Sequence, residues 1–295
     1  MLISVKHKKL LNLISKIFFK KKSKEIYLID SEEHFDFLRF CLNEEKFLGI
    51  DTEFEWRSTY YPILSLLQIA TLDKIFLVDC IKCKNLKWLK KILENKKKLI
   101  IFHSSRSDTT VLSSNLGIKI NNVFDIQIAE KIINGGEIKN YGSIVKNYFP
   151  ITLEKTQTNS NWLRRPFSQN QLSYASDDVH FLIEIYKKQL KILIKMEKED
   201  EVLIKSKKEA SQGNQELYVS RIKKLKKASK LAKEVFLWRE KNAERRNITT
   251  SKIFKDKHLN KIVKGLEDKN LNKNFLDRYF IDVDLASRFL NEIKK

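Results

Sequence analysis

Phe47-Leu-Gly-Ile-Asp-Thr-Glu-Phe-Glu55 is the stretch on which the reading of this chain turns. Residues 47–50 form a short apolar run of the kind that makes a buried strand, and the strand ends by presenting Asp51 and Glu53. Alternate residues of a strand share a face, so the two carboxylates point the same way. Paired carboxylates repel, and a fold keeps such a pair mainly where a cation neutralises it. The competing reading is a solvated strand end, because a short acidic D-x-E arises easily by chance. A metal site therefore requires further ligands from elsewhere in the chain.

Working outward, residues 26–29 read as a first strand, and Ser31 caps a helix over 32–42. Beyond the acidic strand, residues 65–70 and 75–79 read as two strands around a turn at Leu72-Asp73, antiparallel at least in part. Residues 86–93 form an amphipathic helix and 98–102 a buried strand. Asp108 opens a helix that runs through Val111, Leu112 and Leu116 and stops at Gly117. Residues 122–125 form a short strand whose Asp125 caps a helix over 126–133. A short helix over 143–149 precedes a polar loop, residues 152–167. From the N-cap Ser168 one helical pattern runs through Leu172, Ala175, Val179, Leu182 and Ile183 to Leu193. Strands followed by helices and further strands give an α/β sheet covered by helices. A second amphipathic pattern starts near Asn214 and continues to 285–293, a small all-helical domain. The resulting division is a basic leader (1–24), an α/β domain (25–195), a charged linker or helical extension (196–213) and a helical domain (214–295).

The 295 residues carry 58 Lys and Arg against 37 Asp and Glu, a net charge of +21, unevenly placed. Residues 44–186 hold 19 basic and 16 acidic side chains, whereas 201–264 hold 19 and 7, and 1–24 hold eight Lys and no acid. A near-neutral centre between basic flanks suggests a polyanionic partner, with nucleic acid first. The leader alternates basic and apolar residues, compatible with an amphipathic helix. No apolar run reaches the ~18–20 residues that span a bilayer. Cys41, Cys80 and Cys83 are too few for a disulfide scaffold and fit a reducing, cytoplasmic setting. Cys80-x-x-Cys83 has no second pair to complete a zinc site.

The remaining acids that matter are Asp108 and Asp178. Tyr174 and Asp178 are four apart and share one helix face, while the spacing of Asp177 turns it away. Four carboxylates from three distant segments (Asp51, Glu53, Asp108, Asp178) suit two divalent cations about 3.5–4 Å apart, an arrangement made for phosphodiester hydrolysis. Tyr174 then orients the attacking water by a hydrogen bond, a role that suits a phenol whose ordinary pKa is about 10. Taken singly, Asp108 also reads as a helix cap and Tyr174 as a half-buried core aromatic.

Asp51-Thr-Glu53, Asp108 and Tyr174-x-x-x-Asp178 resemble the three motifs of the DEDD-type 3′→5′ exonucleases with Tyr in the third motif. The nearer resemblance is to the ribonuclease D group. It rests also on Tyr61-Pro62 leading into Leu67-Gln68, His103-x-x-x-x-Asp108, Asp125-x-Gln127, Leu153-x-Lys155 and Trp162-x-x-Arg165-Pro166. The tail resembles the helicase-and-RNase-D C-terminal (HRDC) domain through Phe236-Leu-Trp-Arg-Glu240 and the stretch 247–259. This likeness implies a ribonuclease-H-like α/β fold followed by a small all-α HRDC-like domain. It further implies two Mg²⁺ or Mn²⁺ on Asp51, Glu53, Asp108 and Asp178, with Asp51 bridging both and Tyr174 placing the water. The implied activity is release of nucleoside 5′-monophosphates from RNA 3′ ends, tRNA precursors being typical substrates. Trp162 and Arg165 fall where the family has a motif near the active site, which suggests contact with a terminal base or a phosphate, a packed loop anchor being the alternative for Trp162. The tail departs from the family pattern: it has room for one HRDC module, lacks the Pro after the Asn247-type position and shows no late glycine turn. Two other functions use the same residues: a 3′→5′ DNA exonuclease, and a non-catalytic nucleic-acid-binding protein.

Overall fold

Residues 24–154, 157–268 and 270–293 are described by a computed structural model of the chain, and the leader expected over 1–24 lies outside them but for Lys24. Two compact units emerge. One takes the chain up to Glu55 and again from Ile63 to Asn214; the other takes Trp56–Pro62 and the chain from Gln215 onward.

The first unit is built on one mixed sheet of β1 (Glu25–Ile29), β2 (Phe47–Glu55), β3 (Ile63–Ala70), β4 (Lys74–Asp79), β5 (Leu99–Phe102) and β6 (Val123–Asp125). Their spatial order is β1-β4-β3-β2-β5-β6. The central strands β2, β3 and β4 are antiparallel to their neighbours in that trio, while β1 on β4, β5 on β2 and β6 on β5 are parallel. Strand β2 does not stop before the acids. It continues through them to Glu55, held by β3, with Asp51 opposite Gln68 and Glu53 opposite Leu66. A register shift follows at Glu53/Phe54, a bulge that bends the strand end where the acids are displayed.

Both sheet faces are covered, so its strands are apolar on both sides. One face packs α1 (Phe35–Glu44), α2 (Leu89–Leu93) and α3 (Arg106–Leu116) through Leu38, Leu42, Leu89 and Val111. The other packs α4 (Ile126–Ile133), α5 (Tyr141–Tyr148), α6 (Gln169–His180) and α7 (Leu182–Lys195) through Ala129, Val145, Ala175, Leu182 and Leu193. Several helix ends follow directly from the residues. Asp125 accepts the Gln127 amide at the start of α4, Ser168 and Gln171 form a reciprocal capping box on α6, and α3 stops at Gly117 with φ 66°.

One element differs from the sequence reading and a second shows its packing. The long helix expected from Ser168 breaks at Phe181 into α6 and α7. The Tyr141 hydroxyl accepts the Phe181 amide and donates to the Asp177 carbonyl, both at 3.2 Å, and so joins the two helices across the break. The charged stretch 196–213 contains α8 (Glu199–Gly213), which packs Ala210 and Val202 into the two cores of the first unit. Its Ser206 hydroxyl accepts the Asp125 amide at 3.0 Å, so the edge strand β6 is covered. At the end of α8, a Cβ on Gly213 would collide with Thr109 Oγ1 and come within 2.5 Å of the Arg106 carbonyl oxygen. Gly213→Ala therefore pushes on the first turn of α3, the turn that carries Asp108. Denaturant unfolding of this variant should show a loss of about 1–3 kcal/mol.

The second unit comprises α9 (Leu217–Ile222), α10 (Lys230–Arg246), α11 (Leu259–Glu267), α12 (Lys273–Leu276) and α13 (Val283–Ile293) around Phe236, Phe254, Phe280 and Phe289. The run Phe236-Leu-Trp-Arg-Glu240 is explained by this core. Trp238 Nε1 donates to Glu292 at 2.7 Å, and Arg239, 3% exposed, donates to the Phe254 carbonyl and pairs with Asp256. Buried Glu240 accepts from Arg221 at 2.8 Å and from Tyr60 Oη at 2.9 Å. Tyr61 donates its hydroxyl to Glu244 and its amide to Asn247. The connection between β2 and β3 is thus part of the helical unit's own core. Among the described residues no helix is long and apolar enough to cross a membrane.

Candidate active site

Asp51, Tyr174 and Asp178 line one cleft of about 320 Å³ in the first unit, together with His103, Tyr141 and Thr158. Asp51 comes from the middle strand β2, and Tyr174 and Asp178 from successive turns of α6. Glu53 and Asp108 do not line the cleft, but their charges act on it. Asp108 sits in the first turn of α3, 5% exposed, and accepts the Thr52 hydroxyl at 2.7 Å. Thr52 lies between the two acids of β2 and its side chain projects to the opposite face. It ties Asp108 to the strand that carries them, and a β-branched hydroxyl inside D-T-E is the only mark the sequence offers of that task.

The electrostatics follow from burial among like charges. Burial, then the charges of Asp108, Asp178 and Glu53, hold the Asp51 carboxyl well above the usual carboxylate range. Glu53 is pushed up to about 9 by burial and by Asp178 and Asp108. Burial raises Asp108 to about 6, moderated by hydrogen bonds from Thr52 and with Asp51. The charges acting on Glu53 are all negative. Ionising Asp51 or Glu53 therefore works against negative neighbours. Among the described residues no three His, Cys, Asp or Glu side chains are drawn together closely enough to grip an ion as they stand.

Burial and the nearby Asp178 charge also raise the Tyr174 phenol, so it stays protonated at neutral pH and keeps a proton to donate. Its oxygen is 3.3 Å from the Thr158 hydroxyl. His103 Nε2 is 3.3 Å from the Lys139 carbonyl and 3.2 Å from the Gln127 amide, a structural position at the end of β5. His103 and Tyr141 were not among the residues selected as ligands, and both line the cleft. Lys155 of Leu153-x-Lys155 lies outside the described residues.

Trp162 and Arg165 are both packed into the fold. Trp162 is 4% exposed, and its ring centroid lies 6.2 Å from that of Tyr174, so it backs the cleft from within the core. Arg165 forms a two-pronged pair with Asp79 at 2.6 and 2.8 Å, donates to Ser65 and the Trp162 carbonyl, and stacks on Phe167 at 3.8 Å. With its guanidinium so engaged, Arg165 anchors the loop to β3 and β4 and does not present itself to a base or phosphate. Arg165→Lys cannot keep the planar two-pronged geometry. The expected result is a fall of about 1–3 kcal/mol in stability, read by thermal unfolding, with nucleic-acid affinity within about twofold of the parent.

A larger groove of about 730 Å³ runs along α8, and several of its charges pair with one another. Arg106 meets Glu209, and Lys198 and Lys205 both meet Glu201. Acids converge instead at the smaller cleft, where Asp51 and Asp178 both contribute to the lining.

The chain is also similar to known proteins. The sequence model of the 3′-5′ exonuclease family matches residues 27–194. Ribonuclease D of Desulfotalea psychrophila is 31% identical over 222 residues, 71% of this chain and 59% of that protein. Ribonuclease D of Bartonella henselae is 34% identical over 257 residues, 81% of this chain and 63% of that protein. The chain thus spans about three fifths of the length of these curated relatives. Among solved structures, the crystal structure of Escherichia coli RNase D superposes with a TM-score of 0.79 at 20% identity, covering 90% of this chain and 72% of that one.

Proposed function

From the premise that this chain belongs to the 3′-5′ exonuclease family, we propose that it is a metal-dependent exoribonuclease that removes nucleoside 5′-monophosphates from RNA 3′ ends. The observation that carries this reading is the meeting of Asp51, Asp178 and Tyr174 in one cleft under the charges of Glu53 and Asp108. The donor set fits hard divalent cations. It consists of carboxylate oxygens, and burial among negative charges leaves them needing a counter-charge. Asp51, Glu53, Asp108 and Asp178 would hold the metal, two Mg²⁺ or Mn²⁺ in our reading. Bound there, the cations supply an acidified water and stabilisation of the leaving oxygen.

The chain's own residues do the rest. Thr52 keeps Asp108 against β2, so the α3 and β2 carboxylates act as one group. Tyr174, kept protonated, donates a hydrogen bond that orients the attacking water towards the terminal phosphodiester. Tyr141 locks the end of α6 and so keeps Asp178 at its depth in the cleft. The basic stretch 201–264 supplies charge for an RNA backbone, and the HRDC-like helical unit is the second place where we put RNA contact. Structured RNAs such as tRNA precursors are the substrates we favour, in a cytoplasmic setting that suits three free thiols.

The test is to offer one RNA sequence in linear and circular form, and the matching linear DNA, with Mn²⁺. Mononucleotides should appear from linear RNA alone. Cutting of the circle would replace the exonuclease reading with an endonuclease, and equal loss of DNA would move the substrate to DNA.

A further inference from the structure

Gln68 stands on β3 directly across the antiparallel ladder from Asp51 and is fully buried. Directly opposed residues of such a ladder project to one face, with Cβ atoms about 4.5–5.5 Å apart. The amide of Gln68 is therefore within a side chain's reach of the Asp51 carboxyl. Among the described residues, neither Nε2 nor Oε1 of Gln68 has a hydrogen-bond partner. Its neighbours along the same face of β3 are Leu66 and Ala70, both in the apolar core beneath α6 and α7. A leucine at 68 would suit that core, whereas a buried amide without partners bears its full desolvation cost. That cost is compensated once a partner forms beside it.

Resting on the metal-dependent reading above, we propose that Gln68 is a positioning residue for Asp51, its Nε2 donating to the Asp51 oxygen turned away from a bound divalent cation. In the structure as it stands the Gln68 amide makes no hydrogen bond among the described residues. With a cation held by one oxygen of Asp51, the other oxygen would be available across the ladder. The amide then fixes which oxygen faces the metal. It is the kind of outer hydrogen bond whose removal costs about 10- to 100-fold in metal affinity.

The two states give opposite signs for one substitution, which separates positioning from mere structure. Gln68→Met keeps the length of the side chain and removes both polar atoms. Without metal, the variant should unfold at the same temperature as the parent or higher. The Mn²⁺ concentration for half-maximal thermal stabilisation, measured without RNA, should rise about 10- to 100-fold. Gln68→Asn keeps an amide but is too short to reach, and should show the same rise in the Mn²⁺ midpoint. An unchanged midpoint in both variants would overturn the proposal. So would a drop in metal-free stability of Gln68→Met, because it would reveal a partner already present without metal. If the parent protein showed no response to any divalent cation, the metal reading would fall and this inference with it.

Discussion

Replacing Asp51 with asparagine will stop hydrolysis and, in the same protein, stabilise the metal-free fold. The two effects come from one charge. Asp51 is half-buried at the cleft with Asp108, Asp178 and Glu53 acting on it, and each of those charges opposes its ionisation. Asparagine has nearly the same shape, can donate to Asp108 as the protonated acid does, and adds no charge. Removing one member of the cluster should relieve about 1–3 kcal/mol of repulsion and desolvation at pH 8 in EDTA. Loss of a group that holds the reacting charges should lower the single-turnover cleavage rate by about 10³-fold or more. RNA binding, which we place on the basic surface, should stay within a fewfold of the parent. A variant that cleaved at the parental rate would remove Asp51 from the site. One that was inactive but less stable than the parent in EDTA would show that the carboxylate is paired already and awaits no cation.

The second large effect is a dependence of metal-free stability on pH that a divalent cation abolishes. The folded protein holds Glu53 up at about 9 and Asp108 at about 6, against ordinary values of 4.5 and 3.8. Below the ordinary values both folded and unfolded chains are protonated, and these acids are neutral in their effect. As pH rises past them the unfolded chain ionises freely while the folded site resists, so stability is lost. The loss continues until Glu53 ionises in the fold too, near 9. In EDTA the unfolding temperature should therefore fall by about 5 °C or more between pH 5 and pH 8.5. Mn²⁺ binds the ionised form, so its addition should release protons and flatten the curve, with the gap between the two curves widening as pH rises. Calorimetry in two buffers of different ionisation enthalpy counts the protons. A stability in EDTA that rose through this window would contradict the raised values.

Much of the sheet was legible because its residues signal locally. The apolar run at 47–50, the turn at Leu72-Asp73, Gly117 and the caps at Asp125 and Ser168 each specify a boundary by conformation or by a hydrogen bond a few residues away. What escaped was set by distant partners. Nothing in His180 or Phe181 breaks a helix, and the apolar spacing runs smoothly through them. The break is spanned by the hydroxyl of Tyr141, forty residues earlier. Trp56–Pro62 reads as a connection between strands, yet Tyr60 and Tyr61 are fastened to Glu240 and Glu244 of α10. The acids themselves were visible from strand and helix spacing. The hold of Thr52 on Asp108 was not, since it depends on two segments meeting in space. The pairing of Arg165 with Asp79 was hidden for a related reason, since the two meet only in the fold.

The most direct measurement is a time course on a 3′-extended, tRNA-like RNA labelled at its 5′ end, run with Mg²⁺, with Mn²⁺ and with EDTA, for the parent and for Asp51→Asn. A ladder of 5′-labelled products shortening from the 3′ end is expected in either metal, and none in EDTA or with the variant. Shortening that persisted in EDTA, or an RNA left intact in both metals, would contradict it.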